Sequence, residues 1–207
     1  MRETTTDEWL GALASAEPAP GGGAAAGMNA AIGAALISMV CNLTIGKPKY
    51  AEFDESNQAA LAKAEKHRVR AIELAEADAA AFSEVTAAFK LPKGSEEEKQ
   101  SRSAAIQEAL VGAAEVPLEA AQLSARIIAL AGSVLDKTNP NVVADLSVAA
   151  SSAKSALESA ALNVDANLKS IKNPEERERL AGALNETLLS KVQAEAIMDA
   201  VRRRIRA

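Results

Sequence analysis

The stretch FDESNQAALAKAEKHRVRAIELAEADAAAFSEVTAAFK, Phe53–Lys90, decides the fold. It holds neither Gly nor Pro, and its apolar positions Leu61, Ile72, Leu74, Val85 and Phe89 are spread among Ala, Glu and Lys, which are strong helix formers. One long helix is predicted, broken by Leu91-Pro92-Lys93-Gly94. The whole chain shares this character. Of its 207 residues 48% are hydrophobic, yet 48 of them are Ala and only 2% are aromatic. Strands favour β-branched and aromatic side chains, so this composition excludes an aromatic-cored sandwich or barrel and predicts an all-α protein.

Working outward, Thr6 or Asp7 is expected to cap a short first helix carrying Trp9, Leu10 and Leu13, which ends before Pro18 and Pro20. Gly21-Gly22-Gly23 then opens a small-residue helix up to Ile45, closed by the turn Gly46-Lys47-Pro48-Lys49. After Phe53–Lys90, Ser95 with Glu98 has the form of a capping box and starts a helix to about Leu135, with a kink expected at Pro117. A turn at Asp136 to Pro140 leads to a helix from about Asn141 to Ile171, and a last helix runs from Pro174 to Arg206. The expectation is an up-and-down bundle of about six helices, several long, with residues 1–207 as a single domain. Short Ala side chains bury little area per helix, so a homodimer is expected to supply the remaining contacts.

Charge narrows the partners. The 23 basic and 28 acidic residues give a net charge of −5, which disfavours nucleic acid and anionic membranes. Arg202, Arg203, Arg204 and Arg206 form the one basic cluster, read as a helix end complementing its dipole. No targeting segment and no apolar span of transmembrane length is read, the run Met28 to Cys41 being short and Ala/Gly-rich. The single cysteine, Cys41, permits no intrachain disulfide, which fits a reducing cytoplasm.

Several polar residues interrupt otherwise small and apolar stretches. Asn42 follows Met39, Val40 and Cys41, and Asp78 lies in an Ala run. Asn141 and Asp145, and likewise Asn163 and Asn167, are four apart and share a helix face. Each has a plain structural reading, Asn141 as a cap and Asp78 as a solvated side chain; together they suggest a polar pocket between helices. Gly21, Gly22 and Gly23 at a helix start allow a ligand close to backbone N–H groups, or simply make a turn. Lys47 and Lys49 either are solvated or hold an anionic tail. His67, the only histidine, sits in a charged run, and with one Cys neither a zinc site nor a Ser–His–Asp or Cys–His hydrolase is supported. Acid–base chemistry therefore falls to Asp, Glu, Lys or Tyr.

The block PAPGGGAAAGMNAAIGAALISMVCNLTIGKPKY (Pro18 to Tyr50) resembles the opening signature of the cyclodeaminase/cyclohydrolase family. DAAAF (Asp78 to Phe82), LPK and EEK (Leu91 to Lys99), IQEAL and VPL (Ile106 to Leu118), NPNVVADLSVAA (Asn139 to Ala150) and ALNVDANL (Ala161 to Leu168) follow in that family's order. The resemblance implies a helical, dimer-forming folate enzyme that uses no metal and no separate cofactor. Its members include the C-terminal half of the bifunctional formiminotransferase-cyclodeaminase and stand-alone methenyltetrahydrofolate cyclohydrolases. With 207 residues there is no room for the transferase, and the SMVCNLTIGK segment is similar to the stand-alone type, so hydrolysis of 5,10-methenyltetrahydrofolate to 10-formyltetrahydrofolate is expected. The alternatives are formiminotetrahydrofolate cyclodeamination and a non-catalytic folate-binding module. On this reading Asp78 or Asp145 is the catalytic carboxylate. Asn42, Asn141, Asn163 and Asn167 orient the pterin or the water, and Gly21–Gly23, Lys47, Lys49 and Lys93 hold the glutamate tail.

Overall fold

The computed structural model describes residues 4–207, and within them the chain forms seven α-helices, two 3-10 turns and no strand. Helix α1 spans Thr6–Leu13, α2 Gly22–Asn42, α3 Asp54–Phe89, α4 Glu96–Val134, α5 Val143–Leu168, α6 Pro174–Leu188 and α7 Ser190–Arg206. The 3-10 turns, Pro48–Phe53 and Pro140–Val142, lead into α3 and α5. The all-α expectation holds, and the helix expected from Pro174 to Arg206 is divided at Leu189, which keeps helical dihedrals.

Capping explains most boundaries. Thr5, one residue before the expected cap, accepts from the Glu8 N–H while the Glu8 carboxylate accepts from the Thr5 N–H. Ser95 and Glu98 form the predicted capping box, and α4 runs on through Pro117 without a break in the helix. Helix α2 stops at Asn42, short of Ile45, and Gly46 turns the chain with a φ of 74°. Asn139 caps the turn before α5, accepting from the Asn141 N–H, so Asn139 takes the structural part expected of Asn141.

Helix α2 lies between α3 and α5, and α4 crosses behind it against α3 and α5, with α6 and α7 on the outer side of α4 and α5. Small residues set this spacing. A Cβ on Gly27 would stand 2.8 Å from the Ala71 carbonyl oxygen, and one on Gly33 would stand 3.0 Å from that of Ala149. Backbones approach closely at both crossings. Larger side chains, Ile37, Leu123, Ile127, Ile128, Leu146 and Leu157, fill the space between α2, α4 and α5. By length and composition α2 could cross a membrane, contrary to the reading of Met28 to Cys41 as too short, but 61% of its apolar window is buried against its neighbours.

Buried polar groups sit at one end of the bundle. Asn57 donates to the Phe53 and Lys137 carbonyls, and the Asn139 N–H donates to Thr44 Oγ1. Cys41 is buried, and its thiol is pushed up to about 11, which suits a packing role. His67 is half-buried rather than solvated; burial and the nearby Arg126 and Lys63 hold its imidazole below the usual range.

Candidate active site

Helices α3 and α4 are 36 and 39 residues long against 21 for α2, so they extend past its N-terminus and leave a step there. A pocket of about 270 Å³ occupies this step, lined by Gly21, Gly22, Asp78, Phe82, Asn163 and Asn167 among others. Larger openings exist elsewhere, including one of about 720 Å³ flanked by Glu84, Glu108, Glu115 and Glu176, but only this one gathers the residues singled out in the sequence.

Asp78 is its chemical centre. The carboxylate lies directly on the Gly23 backbone, in the space a Cβ at that position would fill. It accepts a hydrogen bond from the Ala24 N–H at the first turn of α2. That end of the helix carries partial positive charge and free N–H groups, which favour an anion. Burial acts oppositely and is the larger effect, pushing the Asp78 carboxyl above the ordinary carboxylate range, with the Ala24 bond pulling it part of the way back. The result is a carboxylate fit both to take and to return a proton.

On the opposite wall, α5 supplies Asn163 and Asn167 one turn apart. Asn163 Nδ2 donates to the Ser159 carbonyl at 2.8 Å, and Asn167 Nδ2 donates to the Ala113 and Asn163 carbonyls at 2.9 and 3.1 Å. With their nitrogens tied to backbone, both amides keep their oxygens as acceptors for N–H groups of a ligand. Gly22 faces the Asn163 amide, at 3.4 Å from where its Cβ would stand. Pro18, Ala81, Val85, Ala113 and Ala166 make the remaining walls apolar.

The structure unites Gly21, Gly22, Gly23, Asp78, Asn163 and Asn167 and places the other candidates elsewhere. Asp145 precedes Asn163 by 18 residues on α5, so it shares that helix face but lies about 27 Å away along the axis. Asn42 and Asn141 are exposed, at the end of α2 and just before α5, because the chain turns outward there. Lys47 and Lys49 lie at that same end, Lys49 above the Tyr50 ring at 5.6 Å, and Lys93 is exposed between α3 and α4. Within one chain none of these reaches the pocket. Phe82 and Pro18 join the site without having been among the sequence candidates; the signal for Phe82 is its place four residues after Asp78, one turn along the same face.

Fold and pocket together define a helical-bundle protein that presents one half-buried carboxylate, held at a helix N-terminus, to a cleft of mixed polar and apolar walls. The chain belongs to the formiminotransferase-cyclodeaminase family, whose model matches residues 5–186. It is 45% identical over 200 residues to a methenyltetrahydrofolate cyclohydrolase of Methylorubrum extorquens, covering 92% of this chain and 96% of that one. It is 32% identical to the formimidoyltransferase-cyclodeaminase of Rattus norvegicus over 90% of this chain but only 35% of that protein. A crystal structure of formiminotetrahydrofolate cyclodeaminase from Thermotoga maritima superposes with a TM-score of 0.84 at 27% identity, covering 98% of this chain and 96% of that one.

Proposed function

We propose that the protein hydrolyses 5,10-methenyltetrahydrofolate to 10-formyltetrahydrofolate, with Asp78 as the catalytic carboxylate. The observation that carries this is the Asp78 carboxylate on the Gly23 backbone inside the pocket, in a chain 45% identical to a cyclohydrolase along nearly its whole length. The methenyl bridge is a cationic amidinium. Ionised Asp78 attracts it and takes a proton from a water molecule as the oxygen adds to the bridging carbon. The neutral adduct then breaks its bond to N5, Asp78 returning the proton to that nitrogen while the new hydroxyl loses its own and becomes the formyl oxygen. One water is consumed and one proton released. The electrophile is the substrate's own cation and nothing is oxidised or reduced, so no cofactor is proposed.

Asn163 and Asn167 accept hydrogen bonds from N–H groups on the pterin edge. At about 270 Å³ the pocket lies just below the usual range of roughly 300–1,000 Å³ for drug-sized ligands, so the bicyclic head enters and the glutamate tail stays outside.

The second element of the proposal is a homodimer. Ile32, Met39 and Leu43, at 48, 37 and 39% exposure, form an apolar stripe along the open side of α2, and Val148 on α5 adds to it. Soluble chains seldom leave such a stripe to solvent, and a second copy laid antiparallel along it covers both copies by one two-fold contact. Helix α2 is about 30 Å long, so this arrangement carries the Asn42, Lys47, Asn141 and Asp145 end of each chain to the Asp78 pocket of the other. Lys47 and Lys49 then have a substrate tail within reach.

The deciding experiment follows loss of methenyltetrahydrofolate absorbance with purified protein, with ammonia release from formiminotetrahydrofolate measured in parallel. Turnover of methenyltetrahydrofolate is expected. Ammonia release alone assigns cyclodeamination instead, a reading favoured by the likeness to the Thermotoga maritima enzyme, and folate binding without turnover leaves a carrier.

A further inference from the structure

The pocket contains one aromatic side chain, Phe82, and it is left 46% exposed at the mouth. In a chain with five aromatic residues, an exposed Phe at the edge of the only cleft that holds Asp78 is an unusual use of a scarce side chain. It lies one turn beyond Asp78, so ring and carboxylate stack on the same face of α3, about 6 Å apart along the axis. Of the other four aromatic rings, two have their faces taken by the protein's own cations. Lys49 sits 5.6 Å from the Tyr50 ring centroid and Arg102 5.8 Å from that of Phe89. The Phe82 ring has no such partner among the described residues, and no Lys, Arg or His lines the pocket.

We infer that Phe82 is the specificity residue by which the pocket distinguishes a cationic bridge from a neutral one. The electron-rich face of an aromatic ring attracts a delocalised cation, and it loses that attraction when water adds and the charge disappears. Asp78 supplies the full negative charge and Phe82 a flat face for the planar amidinium, so substrate is held more tightly than product. The inference rests on the cyclohydrolase reading of this pocket and goes beyond it in naming the side chain that sets the preference.

The test uses the full-length protein with Phe82→Leu, which keeps apolar area but removes the ring, and Phe82→Trp, which keeps it. Phe82→Leu is expected to raise KM for 5,10-methenyltetrahydrofolate about tenfold while changing the inhibition constant of 10-formyltetrahydrofolate by less than about twofold, with kcat unchanged or higher. Phe82→Trp is expected to keep KM at or below the wild-type value. Equal weakening of substrate and product by Phe82→Leu, or no change in either, overturns the inference. A wild-type protein without turnover overturns the cyclohydrolase reading separately. Calorimetric titration of the same two folates into wild type and Phe82→Leu then gives the same ratio, and an unchanged ratio overturns the part given to Phe82.

Discussion

Gly23 and Asp78 share one space: the carboxylate of Asp78 fills the position where a Cβ on residue 23 would stand, so the glycine is required for the acid to reach the first turn of α2. This makes two neighbouring glycines unequal. Gly23→Ala must displace the carboxylate, and cyclohydrolase activity is expected to fall by at least about a hundredfold, the scale of losing a positioned acid–base group. At Gly22 the nearest atom to an added Cβ is the Asn163 amide nitrogen at 3.4 Å, an ordinary contact, so Gly22→Ala is expected to stay within about fivefold of wild type. Steady-state kinetics of the two variants, with circular dichroism as the check on folding, makes the comparison.

Asp78→Asn is expected to abolish turnover and to stabilise the protein at neutral pH. Burial raises the folded-state pKa of Asp78 above its unfolded value, so over the window between the two the native chain holds a proton that the unfolded chain has lost. Stability therefore falls as pH rises through that window, and the cost is fully present above it. Asparagine carries no charge and still accepts from the Ala24 N–H. Thermal melts should show a higher Tm for the variant at about pH 7 and the advantage gone below about pH 3, where both states of wild type are protonated.

The same shift sets the pH dependence of catalysis. A base works only when ionised, so kcat/KM should rise with pH through the raised folded-state pKa and level off above it. The acid limb is expected above the ordinary carboxylate value, which a rate profile in buffers of constant ionic strength measures directly.

The antiparallel homodimer predicts complementation. Asp78→Asn and Asp145→Asn are each expected to be inactive as homodimers if Asp145 of one chain reaches the pocket of the other. Mixed, exchanged subunits regain one intact site in each heterodimer, about a quarter of wild-type activity. No recovery after confirmed exchange removes Asp145 from the site. Ile32→Glu, on the α2 stripe, is expected to give a monomer by sedimentation and to lower activity with it.

Cys41 provides a test of the core that is independent of activity. Buried beside α3 and α5, with its thiol pushed up to about 11, it should give no adduct with iodoacetamide in the native protein at about pH 8 and label fully in denaturant.

The long helices were legible because their signals are local. The Gly- and Pro-free run at α3, the capping box at Ser95 and Glu98, and Pro174 at the start of α6 each act within a few residues. Half of the pocket was legible for a related reason. Gly21 to Gly23, Asp78, Asn163 and Asn167 stand out against alanine as a run of three glycines and as polar side chains among small apolar ones. The two clusters of polar residues nevertheless looked alike in sequence. Asn141 with Asp145 and Asn163 with Asn167 have the same spacing, but Asn141 falls in the turn before α5 and 18 residues of α5 separate Asp145 from Asn163, so only the latter pair reaches Asp78.

By itself, then, the sequence determined that the chain is helical, where most of its helices begin and end, the division at Leu189 excepted, and which scarce residues break an alanine background, because propensity, capping and side-chain size are properties of short segments. Which of those residues meet was decided by the tertiary structure alone. The pocket exists because α3 and α4 overrun the start of α2 and bring Asp78 onto Gly23, while the small side chains of α2 let α3 and α5 close to within backbone contact on either side. Contacts between residues 55 positions apart arise from helix lengths and crossing distances, and these are set only when the whole bundle packs.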